Sequence, residues 1–287
     1  MIIRDKPGPR ELLFALRGSV LPQIFPSLVG VALVASLLVG LDRLVMPMPH
    51  VSPVPFTVFG VALSLFLGFR NNAAYDRWWE ARRLWGGLVA DTRALIREAT
   101  LFLDSDEDRR ALLSAQRDVL HLLRIALRGD RAEPARPHAS PEAALQAMNA
   151  VLIRARRAGQ LDGFGARTLS GRLASITLAQ AGCERIRHTP LPYVYSLLIF
   201  RTSWLYCLLL PLALLDGPGW MAPIFVTIVA YVFFGLAEVT EELAHPFGTT
   251  ANALPLSAIC RTCDIALAGA LGEPVPPPLE PVGFRLD

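Results

Sequence analysis

Lysine is almost missing from this chain: Lys6 is the only one in 287 residues, so nearly all positive charge is arginine. Charge as a whole is scarce. Asp, Glu, Lys and Arg make up 18% of the residues, against about a quarter in a typical soluble domain. Hydrophobic residues reach 53% and mean hydropathy is +0.40, which excludes an ordinary water-soluble domain. A net charge of +3 is too small to indicate nucleic-acid binding, and no nucleic-acid partner is expected. The four cysteines, Cys183, Cys207, Cys260 and Cys263, are too few for a disulfide scaffold in a chain this long. Cys260 and Cys263 have CxxC spacing without a second ligand pair, so they read as neighbours on one helical face. Catalytic arrays are missing as well: there is no Ser/His/Asp set and no phosphate cradle. Glu241 and His245 lie one helical turn apart, but two ligands do not make a metal site. His121 sits in an apolar helix, where a packed histidine is expected. The reading is of a protein that is not an enzyme and has neither cofactor nor metal.

Proline is absent from residue 56 to residue 133, and this absence is constructive. A helix starting near Phe56 can run unbroken past Leu101; 45 such residues reach about 68 Å, more than twice a bilayer core of about 30 Å. Charge-free stretches supply the spans. Gly18 to Leu41 is the first. Leu44 to Phe69 is the second, its helix confined to the later half by Pro47, Pro49, Pro53 and Pro55. Thr202 to Leu215 is short and spans only with part of the preceding YVYSLLIF. Gly217 to Ala237 completes four. Arginines set the orientation. Arg4, Lys6, Arg10 and Arg17 precede the first span and an arginine-rich block follows the second, while the loops MPMPHVSP and DGPGW carry no Lys or Arg. Both termini and the middle segment are expected in the cytoplasm of a multi-pass protein of the cell (plasma or inner) membrane.

The rest of the chain reads as helix. Residues 111–127 repeat apolar side chains at three- and four-residue spacing. Ser140 and Pro141 look like an N-cap and first helical position, and a Gly-rich turn opens another helix at 161–187. The tail EPVPPPLEP cannot continue a helix and is expected as an extended arm. The expected fold is an all-α membrane protein with about four transmembrane helices and a large helical cytoplasmic region. The divisions are an N-terminal cytoplasmic segment (1–17), the first two spans (18–76), a cytoplasmic helical region (77–190), the last two spans (191–238) and a C-terminal helix and tail (239–287). Arg70, Arg77, Arg82 and Arg83 lie just past a membrane exit, where a solvated face or contact with anionic membrane lipids is open to them. Arg201, near the membrane, needs a partner, and Glu238 is one candidate.

Val61, Leu65 and Phe69 fall at i, i+4, i+8 and share one helical stripe, which spacing alone reads as core packing or as the lining of a pore. Flanking residues favour the pore. LGFRNNAAYDRWWEAR (67–82), CERIRHTPLPYVYSLLIFRT (183–202) and EELAHPFGTTANALPL (241–256) resemble the signature regions of bestrophins, particularly the prokaryotic branch. The resemblance implies a pentameric channel for small monovalent ions, with the second transmembrane helix of each subunit around one axial pore. It assigns Val61, Leu65 and Phe69 to a constricted apolar neck, three stacked rings that obstruct ions when dewetted. It implies a second, narrower aperture made by one apolar residue per subunit; no motif fixes its place, and Ile176 is the candidate. Arg77, Trp78, Trp79, Glu80, Pro246, Phe247 and Gly248 match the family signature and are expected in structural roles. One departure matters: animal members follow the PFG element with acidic residues that hold calcium, whereas here TTANALPL follows Gly248 with no acid before Asp264. No calcium clasp is expected. The resemblance favours chloride, yet apolar rings have no sign preference, and Asn72 and Asp76 below Phe69 leave cations open. A membrane-anchored helical scaffold without a conducting path is the alternative.

Overall fold

The computed structural model describes residues 1–3, 8–16, 18–47, 51–129, 136–217 and 219–287. The orientation argument's Arg4, Lys6 and Arg17, the side chain of Arg10, residues 48–50 and 218 of the two short loops, and residues 130–135 of the polar connection lie outside this set. The helices in chain order are α1 (Pro9–Phe14), α2 (Leu21–Leu44), α3 (Pro53–Phe102), α4 (Asp106–Arg128), α5 (Pro141–Arg157), α6 (Gly163–His188), α7 (Tyr193–Ala213), α8 (Ala222–Ala244) and α9 (Leu256–Leu271), with a short 3₁₀ turn at Gly219–Met221. Among the described residues β-structure is limited to isolated bridges, Ile2 with Arg285 and Val282 with Arg285. The fold is all-α, and four of its helices are long and apolar enough to cross a membrane.

Contacts divide the chain into two compact units. An apolar unit holds Asp5–Trp78 and Pro190–Ala244, hence α1, α2, the first half of α3, α7 and α8. Its core is Ile24, Leu28, Val31 and Ala35 of α2, Leu63 and Leu67 of α3, Ile199, Tyr206 and Cys207 of α7, and Val226, Ala230 and Phe233 of α8. Tyr206 is wedged among Phe56, Phe59 and Phe233, with ring centroids 5.4–6.2 Å away. A side chain at Gly60 would stand 2.8 Å from the Tyr206 hydroxyl, so only glycine admits this ring. The third span takes in the YVYSLLIF stretch whole, and α8 runs on past Ala237 to Ala244. The second span's helix begins at Pro53, earlier than expected, because Pro53 and Pro55 occupy its first turn, where no intrahelical N–H donor is required.

The second, more polar unit holds Trp79–Thr189 and His245–Asp287 with the first residues of the chain. Its helices have defined ends. Ser105 accepts the Asp108 N–H to cap α4, whose end is Gly129 in the left-handed region (φ 74°). Ser140 caps α5 with Pro141 in its first turn, and Asp162 caps α6 by accepting the Gly165 N–H at 2.6 Å. The core is leucine-rich: Leu88, Leu95, Leu112, Leu120, Leu123, Leu161 and Leu169 are buried, as are Met148 and Trp85. The arm after Leu271 has no helix, and Arg261 donates to the carbonyl of Pro277.

Candidate functional site

α3 is 50 residues long, about 75 Å, and has two opposite faces. Leu63, Leu67, Arg70, Ala74, Ala81, Trp85, Leu88, Leu95 and Ala99 are buried at alternating three- and four-residue steps, one stripe along the whole helix. Opposite them, at ~100° per residue, Val61, Leu65, Phe69, Asn72, Asp76, Arg83, Arg97 and Leu101 fall within about 80° of one another. All eight are exposed, Val61 and Leu65 at 57% and Phe69 at 70%. The three candidate neck residues thus share the outward face of α3, opposite its buried stripe, with Val61 and Leu65 edging a shallow cavity beside Tyr206 and Ile228. That face is apolar to Phe69; beyond it the charged side chains are Asp76, Arg83 and Arg97, set among the apolar Trp79, Ala90, Ala94 and Leu101.

The signature residues around it fix neighbouring elements. Arg70 is 8% exposed; its terminal nitrogen donates to Ser196 Oγ of α7 and Glu241 Oε2 of α8, each at 2.7 Å. This ion pair, buried on the Arg70 side only, joins three helices, and it takes Arg70 away from both the solvated face and the lipid contact that the sequence left open to it. Arg77 Nε donates at 2.8 Å to the carbonyl of Ala244, the last residue of α8, where a cation offsets the negative end of the helix dipole. Trp78 stacks on Tyr75 with centroids 6.5 Å apart, while Trp79, 45% exposed, faces outward. Glu80 pairs with Arg185 of α6. Pro246, Phe247 and Gly248 form the turn after α8: Phe247 is buried, Gly248 N–H donates to the His245 carbonyl at 3.1 Å, and Leu254 N–H to the Pro246 carbonyl at 2.8 Å.

Ile176 is a correction. It is fully buried, on the α6 stripe with Leu169, Leu173 and Cys183, so its side chain fills the interior and lines no surface. The spacing of these four residues was the available signal. Phe164, in the first turn of α6, is 82% exposed. A Cβ on the neighbouring Gly165 would meet Phe102 Cβ at 2.7 Å, so this turn is pressed against the end of α3, beside the exposed Leu101. Elsewhere in this unit charge is paired. Arg172 donates to both Glu98 (2.7 Å) and Asp91 (2.6 Å); the Glu98 bond most, opposed by burial and helped by the Asp91 bond, holds its guanidinium more firmly protonated. Burial pushes the Cys183 thiol up to about 12, Cys263 up to about 11 and Cys260 higher still, so all three stay protonated and are poor nucleophiles and ligands.

Three comparisons bear on this geometry. Residues 1–269 match the family described as bacterial/fungal bestrophin protein. A voltage-dependent anion channel-forming protein of Mesorhizobium japonicum is 44% identical over 98% of this chain and 95% of its own length. One of the same name from Salmonella typhi is 35% identical over 93% of each chain. A solved bacterial bestrophin homolog from Klebsiella pneumoniae superposes with a TM-score of 0.79 at 30% identity, covering 87% of this chain and 99% of that one.

Proposed function

Because the chain belongs to the bacterial and fungal bestrophin family, we propose that it is a membrane channel, a ring of five copies conducting small monovalent ions along the outward face of α3. The observation that carries this reading is the face itself: Val61, Leu65 and Phe69, exposed on a membrane-crossing helix, become three stacked apolar rings when five copies surround one axis. Such rings hold back ions by excluding water and pass them when hydrated. A scaffold without conduction would have no use for this face, and the relatives give it no support. The apolar unit lies in the cell membrane and the polar unit in the cytoplasm, with both termini on the cytoplasmic side. The second constriction belongs to Phe164, a large apolar side chain held outward at the end of α3, in place of Ile176.

Anions are the conducted class. The relatives are named for anion channels, and beyond the neck the face carries Arg83 and Arg97 against Asp76, a positive balance in each subunit. Asp76 alone favours cations and supports the second reading: its ring lies nearest the neck. Planar-bilayer recording of purified protein under asymmetric salt decides between them by the sign of the reversal potential. Replacing Val61, Leu65 and Phe69 together by alanine should raise the single-channel current several-fold; an unchanged current removes the neck assignment. Micromolar calcium should leave the current unaltered, since no acid follows Gly248 before Asp264.

A further inference from the structure

Two opposite charges in the apolar unit lack partners among the described residues. Arg201 is exposed on α7, within the outward apolar stripe of Leu198, Leu205 and Leu209, and it does not reach Glu238 of its own chain. Glu238 of α8 lines a cavity of about 500 Å³ between α2, α7 and α8. That cavity is walled by Ile24, Phe200, Trp204 and Phe234 and is also lined by Tyr193, Arg70, Glu238 and Glu241. The Arg70–Glu241 pair neutralises itself, which leaves Glu238 as the acid of the cavity lining without a cation of its own among the described residues. Ser203 Oγ, fully buried in the cavity wall, also has no hydrogen-bond partner.

The two charges lie at matching depth. Arg70 touches Ser196 of α7 and Glu241 of α8 at once, which places those residues at one level. From there α7 rises five residues to Arg201, about 7.5 Å, and the antiparallel α8 rises three to Glu238, about 4.5 Å. The difference of about 3 Å is within the reach of an arginine side chain. An ionised side chain at membrane depth faces protein or water and takes a partner. A ring of identical subunits joins two different faces of the chain at every contact. We propose that Arg201 of each copy enters the cavity of the adjacent copy and pairs with its Glu238, so that the cavity is a socket for a second copy of this chain. The proposal rests on the ring reading above.

Complementation in trans tests it. Arg201→Glu and Glu238→Arg are each made in the full chain and assembly is read by native mass spectrometry, with circular dichroism as the folding control. Each variant alone places like charges at every subunit contact and should lose at least tenfold of its intact rings. Coexpression of the two variants restores opposite charges at up to four of the five contacts of a mixed ring, although each chain keeps like charges within itself, and mixed rings should reappear in part. Recovery only when both substitutions are in one chain overturns the proposal in favour of an intrachain pair. Intact rings from both single variants overturn it as well, including the case in which a retained lipid mass shows that an amphiphile fills the cavity. Wild-type rings that conduct, with variants unaffected, sink this proposal alone; a wild-type chain that forms no ring sinks the channel reading with it.

Discussion

The two units put apolar side chains in opposite places. In the polar unit most face inward, with Phe164, Leu101 and Leu178 among the exceptions, and buried charges are paired: Arg172 with Asp91 and Glu98, Asp118 with Arg136 and His138, Asp108 with Arg154. In the apolar unit large hydrophobics are exposed on every helix, among them Leu33, Leu37, Phe66, Phe200 and Ile228. Exposure therefore carries different information in each. An exposed leucine is what a helix apolar enough to cross a membrane presents and needs no further explanation, whereas an exposed Phe164 in the polar unit does. Conversely a charge is ordinary in the polar unit and informative in the apolar one, where Arg70 ties three helices together. Val61, Leu65 and Phe69 cannot be picked out by exposure alone; their register opposite the buried stripe of α3 distinguishes them.

Substitutions on each side sharpen this contrast. Trp85→Ala should have the largest effect on stability, about 3–5 kcal/mol by chemical denaturation, because the ring is fully buried in the polar unit. Its indole N–H has no partner, so this loss is packing alone. Arg70→Met should cost about 2 kcal/mol: an uncompensated buried charge costs about 3–5, reduced here because Glu241 keeps almost half of its side chain exposed. The thermal unfolding midpoint of the detergent-solubilised protein would report it, and an unchanged midpoint would mean that the three helices do not depend on this pair. Asp287→Asn should cost under about 1 kcal/mol, since Asp287 is largely exposed where it meets Arg128. The Arg128 bond holds the Asp287 carboxyl below its ordinary value. Its stabilisation is therefore complete above the ordinary carboxylate pKa and is lost as pH falls through the depressed folded value. Limited proteolysis of the C-terminal arm in acid should show the loss in the parent and none in the Asn variant. Phe164→Ala should change stability least, within about 0.5 kcal/mol, yet raise single-channel current on the order of twofold. A current identical to the parent's would return Phe164 to the ordinary surface.

Much of this architecture is written in the sequence. The charge-free runs mark four spans, and the proline-free stretch from 56 to 133 makes one long helix of the second. The ends are less legible. Pro53 and Pro55 read as breakers when their place in a first turn is unknown, and α8 outlasts its apolar run because Arg70 engages Glu241 in its last turn. Spacing placed Val61, Leu65 and Phe69 on one stripe but could not say which way it faced; the buried stripe behind it does. Ile176 was misplaced for the reverse reason, as an apolar residue judged by type when its spacing with Leu169, Leu173 and Cys183 marked an inner face. The contact of Arg70 with Ser196 and Glu241 joins residues 126 and 171 positions away, a distance over which no local pattern reaches.

Arg172 has one more consequence. Its two carboxylates lie seven residues apart on α3, two helical turns, so one guanidinium on α6 engages α3 at two heights. If α6 slid along α3 by one turn, about 5.4 Å, the guanidinium would exchange Asp91 and Glu98 for Leu95 and Phe102 one way, or for Gly87 and Ala94 the other. Neither offers an acceptor side chain. The two helices have a keyed register with a single notch, and any rearrangement that moves α6 must lift it away from α3 or carry both together.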